Sequence, residues 1–144
     1  MSDGRTRAAV DAWESVFRVQ ATLLRRFAAQ DVWGGLSVRE YDVLYTLSRS
    51  AGGRCRLGEL SEEVYLPQPS LSRLVDRLAG RGLLAREADP HDGRGVVVRL
   101  TEAGAALRRE AGGRHAAAIA REFAGLSREE LAELTRLCGK LLPA

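Results

Sequence analysis

The chain of 144 residues is 45% hydrophobic and 28% charged, the size and make-up of one globular domain whose core needs no covalent staples. No apolar run approaches the roughly 20 residues of a membrane span, and the opening MSDGRTRAAVDAW has no signal-peptide core, so the chain reads as cytoplasmic, with no membrane partner. The net charge of +3 points weakly to an acidic partner; residues 1–50, 51–99 and 100–144 each carry a basic excess of one, so no segment is basic in bulk.

From about residue 8 to 28, Val10, Trp13, Phe17, Leu24 and Phe27 recur mostly at three- to four-residue intervals. That spacing predicts a long amphipathic helix ending near Asp31, before Trp33-Gly34-Gly35. Ser37 and Glu40 have capping-box spacing inside a Leu36/Tyr41 staple. They open a second helix with Tyr41, Leu44, Tyr45 and Leu47 inward, and Ala51-Gly52-Gly53 stops it. Leu57, Leu60 and Val64 mark a short third helix. Pro67 and Pro69 close that helix and, being tolerated in a first turn, also open a fourth. Its apolar face is Leu71, Leu74, Val75 and Leu78, and it ends at Gly80 or Gly82. The period then changes: residues 83–88 and 96–100 read as strands joined by the turn chemistry of DPHDGRG, a hairpin with a long charged tip. Thr101 is the natural N-cap of a fifth helix running to about Phe123. Within it Gly112-Gly113 cost about 1 kcal/mol each and are a candidate bend. Ser127 with Glu130, and Leu126 with Leu131, repeat the cap and staple. Leu131, Leu134, Cys138 and Leu141 stripe the sixth helix, which places Cys138 in an inert core position.

The predicted order is four helices, a hairpin and two helices: a mainly α fold with a small β-hairpin wing. Residues 36–101 have the layout of a winged helix-turn-helix. In that motif the second helix enters the DNA major groove while the first crosses the backbone. With Leu71, Leu74, Val75 and Leu78 buried, Pro69, Ser72, Arg73, Asp76 and Gly80 face outward, with Ser70 and Arg77 on the flank. Small residues admit close approach, hydroxyls bond phosphates or base edges, and Arg73 can address guanine bidentately. The bland alternative is a solvated face on which Arg73 or Arg77 pairs with Asp76; as part of a DNA surface, Asp76 is expected to orient a neighbouring arginine. At the hairpin tip Arg94 can enter the narrow minor groove, with Asp92 bonding the loop backbone or Arg94 itself.

The stretch of residues 57–104 resembles the multiple-antibiotic-resistance regulator (MarR) type of winged-helix transcription factor. The most specific parts are SRLVDRLAGRGLLAR, residues 72–86, and DPHDGRGVVVRLTEAG, residues 89–104. The resemblance implies a homodimer held by N-terminal (1–35) and C-terminal (102–144) helices, with the first, fifth and sixth interdigitating. Two recognition helices would then address successive major grooves of a palindrome, roughly 34 Å apart. It places Ser70, Ser72, Arg73 and Arg77 on the recognition helix and Asp92 and Arg94 on the wing. One departure is Pro67, where the family often has a Ser or Asp cap, which leaves the roles of Gln68 and Pro69 open. The resemblance also implies a small aromatic or anionic effector between the dimerisation and DNA-binding parts. Trp13, Phe17, Tyr41 and Tyr45 lie on helices that would border that crevice, and His115 on the fifth helix, though an aromatic cluster at helical spacing is more often core than pocket.

The rival classes are less well supported. Two cysteines and two histidines are too few for a disulfide framework or a four-ligand metal site, so no metal or cofactor is expected. With no Gly-rich phosphate loop and no nucleophile elbow there is no catalytic residue to name, and the chain is not read as an enzyme. Cys55, between Arg54 and Arg56, has neighbours that would lower a thiol pKa, so a thiol-based redox-responsive regulator is one alternative. The other is a winged helix used only for protein contacts.

Overall fold

A computed structural model describes residues 2–30 and 33–143. Helix α1 spans Ser2–Ala28, α2 Val38–Ser48, α3 Leu57–Glu63, α4 Gln68–Gly80, α5 Glu102–Glu122 and α6 Arg128–Leu141. The helix predicted to end near Asp31, which lies outside the described residues, stops at Ala28. Both capping boxes form: the hydroxyls of Ser37 and Ser127 accept from the amides of Glu40 and Glu130, whose carboxylates accept in return from the serine amides. Thr101 caps α5 through the Gly104 amide at 3.0 Å. Such caps answer amides that a helix start leaves unpaired. By contrast α4 begins on Pro67, which caps it with no side-chain bond.

The core gathers around α2 and α4. Leu44 and Leu47 of α2, Leu60 of α3, and Leu71, Val75 and Leu78 of α4 are fully buried against Val98 of the sheet. Each such side chain contributes about 1.5–3 kcal/mol over leaving it in water. Tyr41 is inward as predicted, but Tyr45 lies at the edge, 36% exposed. Among the described residues no helix is long and apolar enough to cross a membrane.

The predicted hairpin is part of a three-stranded antiparallel sheet. Strands β2 (Leu84–Ala88) and β3 (Val96–Leu100) pair with Arg86 opposite Val98, and β1 (Arg54–Arg56) joins the other side of β3 with Cys55 opposite Val98. Helix α5 runs unbroken through Gly112-Gly113. A side chain at Gly112 would instead meet the Tyr41 hydroxyl at 3.0 Å. Gly104 is tighter: a β-carbon there would stand 2.1 Å from the Leu83 carbonyl oxygen, so its absence seats α5 against the sheet.

The outer helices keep apolar faces uncovered. On α1, Val10, Trp13 and Phe17 are 47%, 63% and 56% exposed, and only Phe27 is buried. No residue of α6 is buried, and Cys138, predicted as core, is exposed. The stripe is there, but among the described residues only Leu131 is half-covered, and Leu134, Cys138 and Leu141 are exposed.

Candidate nucleic-acid interface

The candidate recognition surface begins with α4. Pro69, Gln68, Arg73, Asp76, Arg77 and Gly80 are exposed, and Ser70 and Ser72 are half-buried on its flank. Asp76 does not pair with Arg73 or Arg77. Its partner is Arg86 of β2, whose Nη2 lies 2.9 Å from Asp76 Oδ1, and donates to Ser72 O at 2.9 Å and Ser72 Oγ at 2.8 Å. Arg86 therefore clasps α4 to the sheet and turns the Ser72 hydroxyl into an acceptor on its inner side, leaving its proton to point elsewhere. Sequence reading missed Arg86; only the expected service of Asp76 to an arginine hinted at it.

The wing hangs on Asp89, a second residue not singled out beforehand. It is 5% exposed; its carboxylate accepts from the His91 amide at 2.9 Å and pairs with Arg56 Nε at 2.8 Å. The His91 bond, working against burial and helped by Arg56, holds that carboxyl below its usual range. Beyond it, Asp92 Oδ1 accepts from the Arg94 amide at 3.1 Å, and the Gly95 amide donates to Asp92 O at 2.8 Å. Asp92 thus bonds the loop backbone, one of its two expected roles. On the sheet behind, Arg99 and Arg54 pair with Glu87 at 2.6 and 3.7 Å. The Arg99 hydrogen bond, with Arg54, lowers the Glu87 carboxyl.

A contrast follows among the arginines of this half. Arg54, Arg56, Arg86 and Arg99 are each tied to a carboxylate. Arg73, Arg77 and Arg94 are exposed, and their guanidinium groups meet no hydrogen-bond or ionic partner among the described residues. Gln68, Asp92 and Arg94 line one hollow of about 460 Å³ with Arg56 and Glu62, so the start of α4 and the wing tip border the same space.

The expected effector residues divide. Tyr41, Tyr45 and His115 come together: Tyr41 stacks on Tyr45 at 6.1 Å and meets His115 edge-on at 5.5 Å. Trp13 and Phe17 touch each other at 6.0 Å and no other ring among the described residues. Their places beside His115 are taken by Trp33, at 4.5 Å, and Phe27, at 5.0 Å. Trp33 is 4% exposed, and its Nε1 donates to the Phe27 carbonyl at 2.7 Å. His115 Nδ1, Arg108 Nε and Gln30 Oε1 are buried with no hydrogen-bond partner, and burial pushes the His115 pKa down. Burial also raises the Tyr41 hydroxyl, opposed by Arg108 beside it.

The expected lowering of the Cys55 thiol is reversed. Strand alternation sends Arg54 and Arg56 to the face opposite Cys55, toward Glu87 and Asp89. Cys55 sees Glu59, 3.9 Å away, and burial first, then Glu59 and Glu63, raise its pKa. A thiol held protonated is a poor nucleophile.

Known proteins resemble this arrangement. The model of the MarR family matches residues 34–95. YkoM of Bacillus subtilis, an uncharacterized HTH-type transcriptional regulator, is 33% identical over 106 residues, which cover 74% of this chain and 68% of YkoM. Among solved structures, the MarR family transcriptional regulator Sco3205 of Streptomyces coelicolor, in complex with DNA, aligns with a TM-score of 0.77 and 29% identity over 92% of this chain and 86% of that one. PcaV of the same organism, a transcriptional regulator in complex with its natural ligand, aligns with a TM-score of 0.71 and 29% identity over 88% of this chain and 87% of its own. Fold, wing and sequence agree: the chain belongs to the MarR family of DNA-binding winged helix-turn-helix transcriptional regulators.

Proposed function

We propose that this regulator is a ligand-responsive repressor that binds a palindromic operator as a homodimer. The carrying observation is the set of three exposed guanidinium groups that meet no hydrogen-bond or ionic partner among the described residues, Arg73 and Arg77 on α4 and Arg94 on the wing, beside Arg54, Arg56, Arg86 and Arg99, each tied to a carboxylate. Cations left free next to neutralised ones are available to a polyanion. In this reading α4 enters the major groove, Ser70, Ser72, Gln68 and Pro69 make the close approach, Arg73 and Arg77 address bases or phosphates, and Asp92 holds Arg94 for the minor groove. The domain limits follow: residues 36–101 read DNA, and 1–35 with 102–144 dimerise. The apolar side chains left exposed along α1 and α6 support that pairing, because contiguous exposed apolar surface marks an interface.

Repression that responds to a ligand rests on the cluster of Tyr41, Tyr45, Trp33 and His115 at the meeting of α1, α2 and α5. Packed aromatic rings beside Arg108 Nε and His115 Nδ1, buried with no hydrogen-bond partner among the described residues, support a small aromatic anion as the effector. PcaV, a ligand-bound relative, supports the reading.

Selection from a random duplex library tests it. The expected product is a palindrome with half-sites about one helical turn apart. Its affinity should fall steeply with salt as phosphate-bound counterions are displaced. Binding that stays flat with salt, or a monomer in sedimentation, would overturn the proposal. Aromatic carboxylates added to the complex should release the DNA, and a panel without effect would remove the ligand response.

A further inference from the structure

Tyr65 is the one non-glycine among the described residues with a positive φ, +55°. It follows α3 directly after the C-cap Val64. Its amide donates to Glu62 O at 3.4 Å, and the Leu66 amide donates to Ser61 O at 3.1 Å. That pair of bonds is the Schellman ending, whose left-handed residue is usually glycine because a β-carbon resists the conformation. The Ser61 hydroxyl donates to the Leu66 carbonyl as well, so the turn is held firmly in a shape its tyrosine disfavours.

Among the described residues no contact of the Tyr65 side chain offsets that strain. The Tyr65 side chain is 78% exposed and makes no hydrogen bond or ring contact among the described residues. Dimerisation does not explain it either. Apart from Tyr45, which stacks on Tyr41, the other exposed large hydrophobic residues lie on α1, on α5, or in and beside α6. Tyr65 stands alone in the link between α3 and α4, three residues before α4 begins at Gln68. In a helix-turn-helix the first helix crosses the sugar-phosphate backbone and the second descends into the groove, so this link runs beside the phosphates.

We propose that Tyr65 is a DNA-contacting residue whose hydroxyl donates to a phosphate oxygen flanking the bases faced by α4. The inference rests on the DNA-binding reading above. The rigid left-handed turn aims the phenol outward, and a neutral donor suits the place: a lysine there would be drawn to Glu62 or Glu63, whereas a phenol stays free for phosphate. A contact of this kind carries no sequence information; it fixes the register of α4 on the duplex.

The test uses the full chain, the operator recovered by selection, and a random duplex of equal length. Tyr65→Phe keeps the ring and the strain but removes the donor. It should weaken both duplexes alike by about tenfold per half-site, the worth of one hydrogen bond to a charged acceptor. The salt dependence should not change, because no cation is lost. Tyr65→Gly should weaken binding equally and raise the melting temperature. A Phe variant that binds both duplexes like wild type overturns the proposal. So does a Gly variant that gains stability without losing affinity, which would assign the exposed ring to a protein contact, or one that melts lower, which would remove the strain. If wild type binds neither duplex, the DNA-binding reading fails first, and the control shows it.

Discussion

Replacing Arg86 with methionine removes a guanidinium while keeping most of the aliphatic stem. One nitrogen, Nη2, carries bonds of 2.9 and 2.8 Å to the carbonyl and hydroxyl of Ser72 and a 2.9 Å contact with Asp76. Asp76 is 65% exposed, so the ion pair is worth only a surface value, about 0.5–1 kcal/mol. Arg86 itself is only 30% exposed, and its bonds to Ser72 add about 1 kcal/mol more. A total near 1.5–2 kcal/mol lowers the melting temperature of a chain this long by about 3–8 °C. The functional loss is of another kind. Without Arg86 the Ser72 hydroxyl rotates freely, and an unpaired Asp76 carboxylate faces the phosphates. Arg86→Met should therefore bind the operator less well and discriminate it less from random DNA, at temperatures well below the melt. Fluorescence anisotropy with both duplexes measures this, and Arg86→Lys should restore the charge but not the planar guanidinium geometry that lets one nitrogen reach Ser72 and Asp76 together. Asp76→Asn should be non-additive with Arg86→Met, since the two residues share one contact. An Arg86→Met protein that melts lower yet keeps full discrimination would refute the argument, leaving a purely structural clasp.

Arg94→Ala should weaken operator binding by about 1–3 kcal/mol with an unchanged melting temperature, because its guanidinium meets no partner among the described residues. A lower melt would show otherwise. Gly104→Ala should destabilise by about 1–3 kcal/mol, since its methyl lands on the Leu83 carbonyl and backbone must shift; chemical denaturation reads the loss. Burial keeps the His115 pKa below 6.5, so the unfolded chain binds a proton that the folded one refuses. Stability should then fall as pH drops below about 6.5 and level off once the lowered pKa is passed. His115→Phe should flatten that decline in melts between about pH 7.5 and about pH 5.5, and an unaltered slope would assign it to other groups.

Local signals carried most of the architecture. Ser37/Glu40 and Ser127/Glu130 declare helix starts because a capping box closes within four residues, and the Leu71, Leu74, Val75, Leu78 spacing names the buried face of α4 without reference to any neighbour. What escaped depended on distant pairings. Strand β1 is three residues, two of them arginine, and only β3, more than forty positions away, makes it a strand. Its alternation is what turns both arginines away from Cys55. Arg86 finds Ser72 across fourteen positions, and Asp89 finds Arg56 across the sheet. Trp33 read as a helix-ending tripeptide with two glycines; its burial against His115 needed α1, α2 and α5 assembled.

The fastening of the hairpin at Asp89 separates scaffold from reader. The buried carboxylate anchors the loop below its tip, to Arg56 on one side and to the His91 amide on the other, so positions 91–94 project from an already secured base. Exchanging the outermost side chains should therefore re-cut the part proposed to meet the narrow groove while the fold underneath keeps its stability. A wing built this way lends itself to retargeting, one short loop at a time, by evolution or by design.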